Sequence, residues 1–202
     1  MDAQLILAMI SFAFVTSITP GPNNIMLLAS GANFGFRRTI PHMLGIGLGM
    51  VLLLSCVIAG LGEVFTRFPF LQLALKVAGA LYLTWLAWKI AFAPVGEIGA
   101  NVQERAQPMR WWQAVAFQFV NPKAWMMAIG AVSSFTLAGE HYIASGLWLM
   151  LVFALVNIPS VSVWAGFGVV IRRWLSNPVR QRYFNWGMGF LTVATVFMIV
   201  KV

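Results

Sequence analysis

The sequence predicts an all-α integral membrane protein: six transmembrane helices in two inverted-topology three-helix repeats, with helices 1 and 4 broken at proline motifs. Three observations lead there. The chain has 202 residues, of which 60% are hydrophobic and only 9% charged, whereas soluble domains carry roughly 25% charged residues. Six apolar stretches, near 4–34, 42–62, 69–92, 111–137, 142–170 and 183–201, reach the roughly 20 helical residues needed to cross about 30 Å of hydrocarbon. Prolines interrupt the first and fourth at comparable depth. The spans consume most of the chain, so 1–202 reads as a single membrane domain: repeat one about 1–92, a linker at 93–110, and repeat two about 111–202.

Composition also excludes. A net charge of +8 would suggest nucleic acid in a soluble protein, but here the basic residues fall mostly in short connections beside apolar spans and report orientation instead. Cys56 stands alone, which leaves no intramolecular disulfide, no CxxC redox pair and no thiolate metal cluster. The five acids, Asp2, Glu63, Glu97, Glu104 and Glu140, all lie at or beyond span ends. A metal-ion carrier would need oxygen-rich ligands in the core, and an intramembrane hydrolase would need a nucleophile paired with a base. Neither set is present at membrane depth, so no enzyme, metal or cofactor is expected.

The first span, 4–34, has no basic residue before it and no small-residue cleavage pattern, so it reads as a retained helix and not a signal peptide. Arg37 and Arg38 follow it. Nine basic residues (Arg37, Arg38, Lys89, Arg105, Arg110, Arg172, Arg173, Arg180 and Arg182) fall on one side of the spans, and only Arg67 and Lys201 on the other. By the positive-inside rule the connections 35–41, 93–110 and 171–182 are cytoplasmic and both termini face the periplasm or exterior.

Inside span one, Thr19-Pro20-Gly21-Pro22-Asn23-Asn24 breaks a helix at a depth where lipid supplies no replacement hydrogen bonds. Thr19 is expected to cap a half-helix starting at Pro20. Span two carries Gly45, Gly47 and Gly49, a small-residue face for close helix packing. Lys76 in span three lies about 13 Å from Arg67 along the helix, and structural and functional roles stand equal for it. Trp85 and Trp88 suit the interface.

Span four enters at Trp111-Trp112 and meets Asn121-Pro122-Lys123 about 15 Å deep, with Asn121 expected to cap a second half-helix. Two positive dipole ends would then converge near the midplane, a ready anion site. Lys123 is too deep to reach either interface, and no acidic residue is available to pair with it. A transported carboxylate, backbone carbonyls or water are its candidate partners. Span five is expected to be interrupted again at Asn157-Ile158-Pro159-Ser160, and span six carries Asn185 near its start. Each half thus has a proline-broken first helix, and because each has an odd number of spans the second must be inverted, which is a transporter architecture.

On Thr19-Pro20-Gly21-Pro22-Asn23 and Asn121-Pro122-Lys123, together with chain length and span count, the sequence resembles the LysE/RhtB family of amino-acid exporters. Gly35-Phe36-Arg37-Arg38 and Tyr82-Leu83-Thr84-Trp85-Leu86-Ala87-Trp88-Lys89-Ile90 are most similar to its cysteine and O-acetylserine exporter branch. The resemblance implies efflux of small amino acids or related metabolites across the bacterial inner membrane, coupled to protons. The expected partners are a small amino-acid substrate, the proton and membrane lipid, with room for a homo-oligomer. Proton carriers commonly use intramembrane Asp, Glu or His, and here His42 and Glu63 sit at span ends. Lys123, Lys76 or substrate protonation could substitute, or transport could be facilitated diffusion or exchange. A channel or a non-transporting scaffold bundle is the alternative. The expected substrate-binding residues are Thr19, Pro20, Gly21, Pro22, Asn23, Asn24, Asn121, Pro122, Lys123, Lys76, Asn157 and Asn185.

Overall fold

A computed structural model describes residues 2–93, 95, 107–175 and 177–200, without the side chains of Glu63, Phe65, Thr66, Pro69, Gln72, Leu75, Lys76 and 197–200. The regular elements among the described residues are all helical, with no strand. Helix α1 (Ala3–Ile18) and α2 (Pro22–Phe34) meet at a bend of 58°. They are followed by α3 (Phe36–Cys56), a π turn (Val57–Leu61), α4 (Gly62–Arg67) and α5 (Pro69–Ala91). Beyond the linker come α6 (Trp111–Val120), α7 (Pro122–Phe135), α8 (Tyr142–Arg172) and α9 (Pro178–Val200), with short 3-10 turns at Gly139–His141 and Arg173–Leu175.

The first break falls two residues later than expected. Gly21, not Thr19, is the N-cap of α2, and Pro22 takes its first turn, where a missing N–H costs no intrahelical bond. Thr19 instead ends α1: its N–H bonds to the Val15 carbonyl and its hydroxyl donates to the same oxygen. Asn121 caps α7 as expected, its side-chain oxygen accepting the Lys123 N–H at 3.1 Å.

Three boundaries are corrected. Span five has no interruption at Asn157–Ser160, because α8 runs unbroken through Pro159. Hydroxyls supply donors around the proline: Ser160 bonds the Val156 carbonyl and Ser162 the Ile158 carbonyl, one of the ways a proline is tolerated inside a membrane helix. The second span begins at Phe36 instead of 42, since Gly35 alone turns the chain at φ 82°, a conformation that favours glycine. The sixth begins at Pro178 instead of 183.

Small residues set the helix approach. An added Cβ at Gly31 would stand 2.2 Å from the Ala165 carbonyl oxygen, and one at Gly168 would stand 2.2 Å from that of Leu28, so α2 and α8 cross backbone to backbone. Gly45 and Gly49 do the same for α3 against α6, meeting Trp111, Ala114, Val115 and Gln118. The glycines of the second span are thus packing positions. The largest apolar cluster joins Met9 and Ala13 of α1, Leu53 and Leu54 of α3, Ala128 of α7 and Phe153 of α8.

By length and composition, Phe36–Leu61 and Gly139–Leu175 can each cross a membrane, and the bent α1–α2 pair makes a third if it is one span. Large apolar side chains such as Leu44, Leu48, Leu81, Leu155 and Phe190 face outward, as lipid contact requires.

Candidate functional site

The two helix breaks face one another. Lys123, in the first turn of α7, extends along Gly21 and donates from Nζ to the Thr19 carbonyl at 2.5 Å and the Pro20 carbonyl at 3.4 Å. Of the partners open to it, backbone carbonyls are the ones it meets here, and they belong to the negative end of α1. An added Cβ on Gly21 would stand 2.7 Å from Lys123 Cδ and 3.1 Å from Nζ, so glycine is what lets the lysine lie across the break.

Other side chains satisfy the carbonyls that the break frees. Asn24 Nδ2 donates to Ser17 O at 3.0 Å and Thr19 O at 2.8 Å, and Trp164 Nε1 donates to Ile18 O at 3.0 Å. At the second break, Trp125 Nε1 donates to Phe119 O at 2.7 Å. Each freed carbonyl with a donor avoids a desolvation cost of about 1–3 kcal/mol, which is how two interrupted helices persist among apolar neighbours.

Asn23 and Gln118 tie the breaks together. Asn23 Nδ2 donates to Gln118 Oε1 at 2.8 Å, and Gln118 Nε2 returns a bond to Asn23 Oδ1 at 3.3 Å. Asn157 Nδ2 donates to Ser17 Oγ at 3.1 Å, while its Oδ1 is buried with no hydrogen-bond partner. Together with Gly21, Asn24, Asn121 and Lys123, these residues line a cavity of about 20 Å³, room for one water. Ion-pair partners for Lys123 are missing from it: the lining contains no Asp or Glu among the described residues.

Of the residues expected from sequence, Gly21, Asn23, Asn24, Asn121, Lys123 and Asn157 line this cavity. Thr19, Pro20, Pro22 and Pro122 form the breaks around it without lining it. Asn185 is elsewhere: fully buried, it accepts from Asn33 Nδ2 at 3.2 Å, and Asn33 Oδ1 accepts from Gln181. That amide cluster lies about 13 Å along α2 from Asn24. The Lys76 side chain lies outside the described residues, as does that of Glu63. Gln118, Ser17 and Trp164 were missed by sequence reasoning. Gln118 carried a signal, a lone amide three residues before Asn121 in an apolar run; Ser17 and Trp164 carried none.

A second, larger cavity of about 870 Å³ lies between α2, α3, α5 and α6, reaching Ala93 and Gln107 at its rim. Ser30, Asn33 and His42 line one wall, and Tyr82, Trp85, Lys89 and Arg110 line others.

A family model described as LysE type translocator matches residues 14–201. Cysteine/O-acetylserine efflux proteins of Escherichia coli (strain K12), Shigella sonnei (strain Ss046) and Shigella flexneri are each 32% identical to the chain over 183 residues, covering 90% of it and 91% of the relative. No solved structure matches it.

Proposed function

We propose, from the premise that this chain belongs to the LysE type translocator family, that it is a secondary exporter of small neutral amino acids or related metabolites, cysteine- or O-acetylserine-like or serine-, threonine- or homoserine-like. Membership makes it a multi-pass membrane transporter and not an enzyme. The single observation that carries the finer reading is the meeting of two helix breaks, with Lys123 held on the Thr19 and Pro20 carbonyls beside a small cavity lined by amide side chains.

In this reading the arrangement is a substrate-free state. A substrate carboxylate competes with the two carbonyls for the Lys123 ammonium, since a charge-assisted bond to an anion is stronger than one to a neutral oxygen. The unpartnered Oδ1 of Asn157 then accepts from the substrate ammonium. Releasing Lys123 frees the α1–α2 break to move, so binding and opening are linked through one side chain. The absence of a carboxylate in the described lining favours a neutral side chain, because a second cation would be desolvated beside Lys123 without a partner. A cavity with room for one water favours a carrier over an open channel.

Six spans follow if α5, the α6–α7 pair and α9 also cross, with the linker and its flanking arginines cytoplasmic, both termini periplasmic, and the chain in the bacterial inner membrane. An inverted repeat is supported by packing: α3 lies on α6 as its counterpart α8 lies on α1, and α5 packs on its counterpart α9. Proton coupling is part of the proposal.

The test is export. Cells overproducing the correctly inserted protein should retain less labelled cysteine and O-acetylserine, and neutral amino acids should inhibit one another's flux while lysine and arginine do not. Unchanged retention across the neutral panel would reject the exporter reading, and potent inhibition by lysine would reject the charge argument.

A further inference from the structure

We infer that the 870 Å³ cavity is a second substrate site, an entry site that holds the carboxylate of a small zwitterion through His42 before the substrate reaches the helix breaks. The inference rests on the exporter reading for its direction of travel, not for the existence of the site.

The key observation is His42. It sits in α3 at 1% exposure, lines the cavity, and has no hydrogen-bond partner at either ring nitrogen. Neutral imidazole carries one N–H donor and one acceptor, and a buried polar group left unmade calls for an explanation, such as a ligand or a water. Its polar neighbours are already fixed. Ser30 Oγ lies 2.9 Å from Thr39 Oγ1, and Asn33 Nδ2 donates to Ala29 O at 2.9 Å as well as to Asn185. Those wall groups thus have partners within the fold, whereas the two ring nitrogens of His42 have none.

The surrounding charge selects the ligand. Lys89 on α5 and Arg110 at the start of α6 line the cavity, and Lys89 Nζ sits 4.4 Å over the Trp85 ring. Arg110 is the N-cap of α6, so the positive end of a ten-residue helix also opens here. On α3, the elements packed around it and α5, the other ionisable groups include Tyr82 on α5, Arg37 and Arg38 at the start of α3, and Arg172 on α8, whose Nη1 is 3.0 Å from where a Gly35 Cβ would be. Cys56, Lys123 and Tyr142 lie elsewhere along these helices and do not line the cavity, and the Lys76 side chain on α5 is outside the described residues. No Asp or Glu lines the cavity among the described residues. Such a set attracts an anionic head. Tyr82 and Trp85 offer an aromatic wall for the rest of a small molecule, and the volume falls within the 300–1,000 Å³ usual for ligand sites.

Position supplies the role. Ser30 lies seven residues, about 10 Å, along α2 from Asn23 and on the same face, so one helix face carries part of the wall of this cavity and part of the wall of the small one. A molecule leaving the open cavity along that face is carried towards Asn23 and Lys123.

The experiment uses the purified full chain in proteoliposomes, with labelled O-acetyl-L-serine presented to one face at a time. His42→Phe, which removes both nitrogens, should raise the half-saturating concentration about tenfold on the cavity face alone, with the maximal rate within about twofold, as expected for loss of one hydrogen bond to a charged group. His42→Gln, which keeps a donor, should recover part of that loss. Arg110→Gln, at an exposed position, should shift saturation in the same direction without threatening the fold. Unchanged saturation on the cavity face in His42→Phe and Arg110→Gln overturns the inference while transport itself stands. If the wild type moves no neutral amino acid, the exporter reading fails separately. Tryptophan fluorescence then decides the site, since Trp85 and Trp88 line it: a saturable response to O-acetyl-L-serine whose midpoint His42→Phe raises about tenfold upholds it, and no response in the wild type, or an unshifted midpoint in His42→Phe, overturns it.

Discussion

Replacing Lys123 by methionine separates structure from transport, because methionine keeps much of the apolar stem and removes the charge. In the wild type the ammonium donates to the Thr19 and Pro20 carbonyls, and a bond from a charged donor contributes about 1.5–3 kcal/mol net. Thr19 O keeps its Asn24 donor at 2.8 Å, and the Pro20 contact is long. The structural loss should therefore be near the low end, about 1–2 kcal/mol, a fall of a few degrees in apparent Tm. Transport should lose more. An ammonium and a carboxylate 4 Å apart attract by about 4 kcal/mol at an effective dielectric of 20. If desolvation removes about half, roughly 2 kcal/mol remains, and at 1.36 kcal/mol per tenfold the transport rate should drop about 30-fold. Counterflow of labelled O-acetylserine in proteoliposomes, normalised to inserted protein, measures the rate, and thermal unfolding in detergent measures the stability. Gly21→Ala is the control that keeps the charge: its Cβ would stand 2.7 Å from Lys123 Cδ, pushing the ammonium off the break, and transport should fall in the same direction. Counterflow within twofold of wild type for Lys123→Met would refute the assignment of the substrate carboxylate to Lys123.

Three further outcomes follow from particular contacts. Gly168→Ala places a methyl 2.2 Å from the Leu28 carbonyl and should cost about 1–3 kcal/mol by overpacking, whereas Gly187→Ala, with nothing within 4 Å, should leave Tm unchanged or slightly raised; equal effects would contradict the α2–α8 crossing. Asn23→Ala and Gln118→Ala should be non-additive in a double-mutant cycle, with a coupling of about 0.5–1.5 kcal/mol, and strict additivity would mean that the reciprocal amide pair is not formed. Pro159→Ala should transport within about twofold of wild type, since α8 is continuous through that position; a tenfold loss in counterflow would show that the missing N–H is used during the cycle.

The sequence by itself determined two places where helices fail. A proline has no N–H and restricts the residue before it, so Pro20-Gly21-Pro22 and Asn121-Pro122 interrupt their helices for covalent reasons, and Asn121 caps α7 with an atom three bonds from its own Cα. The sparse charge and long apolar runs likewise dictate helices in lipid, where backbone groups must be satisfied within each segment. Whether a given proline actually breaks a helix was already beyond local reach: Pro159 does not, because Ser160, Ser162 and the α2 crossing hold α8 together. Only the tertiary structure decided what the freed groups meet. Lys123 finds Thr19 across 104 residues and Asn23 finds Gln118 across 95, choices fixed by how closely glycine-lined helices approach and not by any spacing in the chain. Asn185 was drawn to Asn33 and away from the breaks for the same reason. His42 read as a span-end residue in the sequence, and it became a buried imidazole without a partner because α2 and α3, joined through Gly35 alone, fold its side chain against a cavity whose other walls come from α5 and α6.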